Sequence, residues 1–333
     1  MYRLARSIFE RAGTFADSVF YDVSAWTVSL AYGMPDYAVT NGSLAMGDRV
    51  TEVPALEGAG PVTRSSIAYL MDWSNSNAAR ALHAMQAAGV KAEAAFQPFT
   101  ARTVNGEVSF PRGSISIPVS TQNLSPDSTH AVVTAAAREA NVPIHSAMTG
   151  MAADGIDLGS GNFRPVRAPR VLMLLGEGVS SYEVGQLWHL LDQRIAMPVT
   201  KVDVTDLGRV TWSDYDVLVL VSGDLSVFSG NHLEALKAWV RGGGTLVAQR
   251  QAAVWATRNG LTPNVAEPGI GQPAAEDEDG EEETNARRDY ADAGDIEGAK
   301  RIGGSIWEAD LDLTHPLGFG YRRRFLPVWR DHN

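Results

Sequence analysis

The chain contains no cysteine. That absence removes disulfides, thiolate metal sites and every cysteine nucleophile. It leaves the compartment open, since a cysteine-free chain suits a reducing or an oxidising space alike. Long apolar runs are also lacking: no stretch approaches the roughly 18 to 20 residues of a membrane helix, so no membrane span is expected. The opening MYRLARSIFERAG has basic residues but no apolar core followed by a small-residue cleavage site, and does not read as a signal peptide. It reads as an amphipathic helix with Leu4, Ile8 and Phe15 on one side. Positive charge is scarce, with 28 Lys and Arg against 39 Asp and Glu and a net charge of -11, which argues against a nucleic-acid partner.

Several catalytic patterns are missing as well. A hydrolytic zinc centre needs a His and a Glu three apart, a distant His and a Glu base. None of His83, His130, His145, His189, His232, His315 and His332 has Glu at the third following position. His189 has Asp192 there, which reads as a helix-surface pair, and the spacing of His232 and Glu234 points the two apart on a helix. A G-x-S-x-G elbow is absent, because Ser160 and Ser222 both lack the glycine two residues before.

What is present is ordinary globular material: 44% apolar and 20% charged residues over 333, enough for two domains or one large α/β unit. Residues 1–60 read as a lead-in that packs on the adjoining α/β body. Residues 61–165 form a first strand–helix round. It has strands in SSIAYLMDW, VKAEAAFQPF, SISIPVS and VPIHSAM, a helix capped by Ser74 or Asn75, and another capped by Ser125 with Pro126 at its first position. Residues 166–262 form a second round, with strands in RVLMLL, PVTKVDV, DVLVLVSG and TLVAQ. One of its helices starts on a Ser180–Glu183 capping box and another on Ser229. This alternation predicts an α/β fold of tandem rounds with mainly parallel, flavodoxin-like sheets. Residues 263–300, acidic from Glu276 to Glu283 apart from Gly280, read as a disordered or long surface loop. Residues 301–333 regain aromatics and read as a C-terminal packing segment.

Candidate ligand positions are few. Gly176, Glu177 and Gly178 lie between a strand and a helix, and Asp203 ends the next strand, a partial dinucleotide fingerprint. Ser181 replaces its third glycine, and Glu177 places negative charge where phosphates would lie; a tight turn with a good cap is the plainer reading. Ser222 joins these three as a loop candidate at the carboxyl edge of the strands. Asp277, Asp279 and Gly280 fit a calcium loop only in part, since Ala275 and Ala286 occupy two ligand positions. Arg322, Arg323 and Arg324 read as a surface patch or a partner for the acidic run.

Two resemblances add to this. The second round resembles the class I glutamine amidotransferase-like fold, whose nucleophile stands on a sharp turn after a strand. The matching place here is near Gln249, Arg250 and Gln251, where no cysteine exists, so amidotransferase chemistry is excluded. The strings FADSVFYDVSAWTVSLAYG (15–33), FPRGSISIP (110–118), GVSSYEVGQLWHLLDQR (178–194), WVRGGGTLVA (239–248) and LDLTHPLGFGY (311–321) resemble the region after the catalytic domain of bacterial zinc carboxypeptidase-like proteins. That resemblance implies an accessory or scaffolding segment of a larger metallocarboxypeptidase-like protein, outside the cytoplasm, periplasmic or secreted. It implies a peptidase domain upstream in cis that carries the zinc, no cofactor in this chain, and peptide or cell-wall material as a further partner. No catalytic residue carries over. The alternatives are a stand-alone small-molecule or nucleotide-binding protein, or a hydrolase with an unrecognised site at Glu177 or Ser222.

Overall fold

The computed structural model describes residues 59–262 and 305–330, with residues 9, 28–32, 34, 35, 37, 47–49, 51 and 52. The amphipathic helix expected around Leu4, Ile8 and Phe15, the calcium-loop reading and the acidic segment 263–300 lie outside the described residues. The chain divides into two compact units, Leu56–Ala275 and a second combining Met1–Ala55 with Glu276–Asn333.

The larger unit begins with β1 (Ala68–Met71), α1 (Ala78–Ala87) and β2 (Ala92–Ala95). Next come β3 (Phe99–Thr103), β4 (Gly106–Phe110), β5 (Ile115–Pro118), α2 (Pro126–Ala140) and β6 (Ile144–Ser146). Two short strands complete this part, β7 (Asp154–Gly155) and β8 (Phe163–Val166). The main sheet runs β6-β1-β5-β2-β8, and every pairing in it is antiparallel. The expectation of a mainly parallel first sheet is therefore corrected. Each strand–helix–strand crossover does join parallel strands, but it leaves a one-strand gap that a strand of the other crossover fills in the opposite direction. This is the split-βαβ order.

Burial follows from that arrangement. All four β1 residues are buried, Tyr69 and Met71 against α1 and α2, and Ala68 and Leu70 on the other face with Phe99, Phe110 and Phe163. The β3–β4 hairpin, with β7 beside β3, supplies part of that second cover. The expected strand VKAEAAFQPF covers β2 and only the first residue of β3, and the sequence signal for the hairpin is Asn105-Gly106 at its turn, which that strand expectation passes over. Ser125 caps α2 as expected, accepting from the Ser128 amide at 3.1 Å, and Pro126 holds the first turn. Ser74 and Asn75 do not cap α1. The cap position is Asn77, without a side-chain bond, because Asp72 and Asn75 accept from the Ser74 and Asn77 amides in the preceding turn.

The second lobe of this unit has β9 (Val171–Leu175), α3 (Ser181–Trp188), a π-helical turn His189–Arg194 and β10 (Val199–Asp203). It continues with β11 (Val217–Leu220), α4 (Asn231–Arg241), β12 (Thr245–Ala248) and α5 (Gln251–Arg258). Here the sheet is parallel throughout, in the order β10-β9-β11-β12. Alternation splits its side chains between two covers: Leu172, Leu174, Leu218 and Leu220 pack with Leu236 and Ala252, while Val171, Met173 and Val219 pack with Val184, Leu187 and Trp188. Ser229 does not cap α4; Gly230 occupies that position at φ 52°, with no side-chain bond. The glycine run before β12 has a packing reason at Gly244, where a Cβ would fall 2.3 Å from the Trp239 ring.

In the smaller unit β13 (Ser305–Asp310) pairs antiparallel with β14 (Phe325–Arg330), and the guanidinium of Arg324 grips Asp310 between them. Arg322 to Arg324 border an open groove of about 820 Å³ with Tyr321 and Phe325. Among the described residues no helix is long and apolar enough to cross a membrane.

Candidate functional site

The parallel sheet sends the chain from β9 to β10 on one side and then to β11 on the other. The carboxyl ends of β9 and β11 therefore flank a topological switch point, the place where open α/β sheets hold ligands. Two of the four loop candidates, Gly178 and Ser222, lie in the turns that meet there. The turn after β9 lies against the turn after β11. The Asp224 amide donates to the Gly178 carbonyl at 2.9 Å, and the Ser180 amide to the Ser222 carbonyl at 2.8 Å. Val179 and Gly223 form an antiparallel bridge between the two turns. Gly223 is forced by this approach: with φ 151°, a Cβ there would sit 2.5 Å from the Gly178 carbonyl oxygen. Glu177 is exposed at the tip of its turn.

Ser222 is buried and already engaged. Its amide donates to the Glu183 carboxylate at 2.9 Å, and its hydroxyl accepts from the Gln251 amide at 3.3 Å. The hydroxyl thus serves the first turn of α5 as an acceptor. The sequence places Glu183 as half of a capping box, and only one half forms: Ser180 accepts from the Glu183 amide, while the Glu183 side chain turns inward to Ser222. The signal for that is an acidic residue one turn before Leu187 on the apolar stripe of α3.

Above Glu183 stands Arg250, which ties the end of β12 to α5. Its backbone is at φ 52° and ψ −123°, a region that side-chain-bearing residues rarely enter. Its guanidinium lies 3.6 Å from the Glu183 carboxylate, with side-chain exposure of 41% for Arg250 and 9% for Glu183. The strained turn falls at the position where the sequence suggests an elbow, and the residue on it has no nucleophilic atom.

On the side of β9 away from that switch point runs β10. Gly176, at φ 125°, faces the Asp203 carboxylate so closely that a Cβ would meet it at 2.7 Å. Asp203 Oδ1 accepts from the Thr205 amide at 2.9 Å and from the Thr205 hydroxyl at 2.7 Å. Those two bonds hold its carboxyl below the usual aspartate range. Beside Gly176 a cleft of about 400 Å³ opens between α3 and the sheet.

Among the described residues no three His, Asp or Glu side chains come together as metal ligands. His232 Nδ1 lies 3.1 Å from the Val227 carbonyl, His130 Nδ1 lies 3.1 Å from the Tyr69 hydroxyl, and His332 is outside the described residues. No family model, no curated protein and no solved structure matches the chain.

Proposed function

We propose that the chain is a non-catalytic accessory module of a zinc carboxypeptidase-like protein, built on an amidotransferase-like second lobe that has lost its chemistry. It positions a peptidase domain in cis and offers the crevice at the ends of β9, β11 and β12 to peptide or cell-wall material. The single observation behind this reading is Arg250. It stands on the strained strand-to-helix turn where such a fold would carry its thiol, and its always-protonated guanidinium can bind but cannot attack. The five sequence strings spread along the chain support the carboxypeptidase-like setting.

The test is to assay the purified chain, supplied with zinc, on peptides with free C-termini and on glutamine. No turnover is expected on either. Peptide turnover that a chelator abolishes, or release of ammonia from glutamine, overturns the reading. The DNA reading frame upstream tests the setting separately, since the proposal requires an in-frame His-x-x-Glu there.

A further inference from the structure

The cleft beside Gly176 has features that the accessory reading does not use. Among the described residues strand β10 is the outer strand of its sheet, paired only with β9. The register places Lys201 and Asp203 beside Met173 and Leu175, on the face that α3 covers. Helix α3 does not close fully on that face. Val184, Gly185 and Trp188 of α3 line the cleft on one side, with Leu175, Val179 and Lys201 also in its lining. The volume of about 400 Å³ falls within the range of small-molecule sites, roughly 300 to 1,000 Å³. Gly185 leaves the wall open, with nothing within 4 Å of where its Cβ would be. Lys201 lies 4.8 Å over the Trp188 ring, which holds the indole as one wall.

Gly176, which lines the cleft, packs against the Asp203 carboxylate just outside it, and Asp203 is held there by the two bonds from Thr205, both to Oδ1. Its Oδ2 accepts no hydrogen bond among the described residues. An ionised carboxylate at the end of the second strand, beside a glycine turn at the end of the first, is the arrangement that accepts ribose hydroxyls. An apolar cleft with an indole in its lining suits a planar ring.

We propose that this cleft binds a ribonucleoside-like ligand, its planar heterocycle between Trp188, Val184 and Val179 and its vicinal diol on Asp203. Glu177 stands on the same turn and carries negative charge where a 5′-phosphate would approach, so phosphate adds no affinity. Ser181, in place of a third glycine, lines the cleft and leaves a hydroxyl for the ring edge. This site is independent of the accessory reading, and either can fail alone.

The experiment is calorimetric titration of the purified chain with the four ribonucleosides, then with the 2′-deoxy form and the 5′-monophosphate of the best binder. At least one ribonucleoside is expected to bind, with its monophosphate no tighter. The deoxy form should bind about tenfold or more weakly, because it loses a hydrogen bond to a charged acceptor. Asp203→Asn should bring the ribonucleoside down to the level of the deoxy form. Gly185→Leu, which adds bulk from inside a helix and improves helix propensity, should abolish binding while circular dichroism is unchanged and melting stays at or above the wild-type value. The proposal is overturned by absence of binding for all four ribonucleosides, by equal affinity for ribo and deoxy forms, or by binding that survives Gly185→Leu in the folded variant.

Discussion

Replacing Arg250 by glycine and by alanine tests whether the turn between β12 and α5 is strained. Both variants lose the same ion pair, so their difference reports the backbone alone. With φ 52° and ψ −123°, a Cβ costs about 1–3 kcal/mol, and glycine escapes most of it. Elsewhere glycine is less stable than alanine by about 0.5–1 kcal/mol, because it has more freedom to lose on folding. The balance makes Arg250→Gly more stable than Arg250→Ala by about 1 kcal/mol, the reverse of the usual order. The ion pair is the weaker contribution: at 3.6 Å, with Arg250 substantially exposed, solvent screening leaves it below about 1 kcal/mol. Urea unfolding followed by tryptophan fluorescence gives the two midpoints, compared at equal slope. An Arg250→Ala midpoint at or above that of Arg250→Gly refutes the strain argument, and with it the description of this turn as an elbow.

Gly223→Ala should cost about 3 kcal/mol, since its Cβ would meet the Gly178 carbonyl oxygen and the Val179 Cα at 2.5 and 2.7 Å, and neither backbone atom can swing away; thermal melting reads the loss. Leu172→Ala, at a fully buried position in the parallel sheet, should cost about 3 kcal/mol in the same assay. Asp216 takes two bonds from the Arg170 guanidinium and one from its amide, and these lower its pKa from 3.8 to about 2. A depressed carboxylate pKa favours the ionised form in the folded state. Its stabilisation is therefore complete above the ordinary aspartate range and is lost as pH falls from about 4 to about 2. Because the pair is half-exposed the effect is under about 1 kcal/mol, and Asp216→Asn should flatten the stability profile in that window only. Ser125→Ala should destabilise by about 1 kcal/mol through loss of the α2 cap, read as a shift of the urea midpoint.

Local chemistry is legible wherever a short stretch of chain settles the matter. The apolar run RVLMLL becomes β9 because a strand buried on both faces needs no alternation, and Ser125-Pro126 begins α2 because its donors and acceptors lie within one turn. Ser74 and Ser229 fail by the same measure: a cap residue type is legible, but which of several nearby polar groups wins depends on how the preceding turn packs. The loop candidates Gly176, Gly178 and Ser222 can be named because glycines and strand ends mark a carboxyl edge.

What the sequence by itself determined is compositional and local: no thiol chemistry, no His-x-x-Glu and the α/β alternation. Only the tertiary structure decided which strands pair and in which direction. The same strand–helix rhythm yields a parallel sheet when each crossover adds the next strand, and an antiparallel one when two crossovers interlock, and nothing local distinguishes the two. Tertiary packing also turned Glu183 from a helix cap into a buried carboxylate behind Arg250, and set Asp203 against Gly176. Each of those contacts joins segments far apart in sequence, and its energy exists only once both lie on the same edge of the sheet.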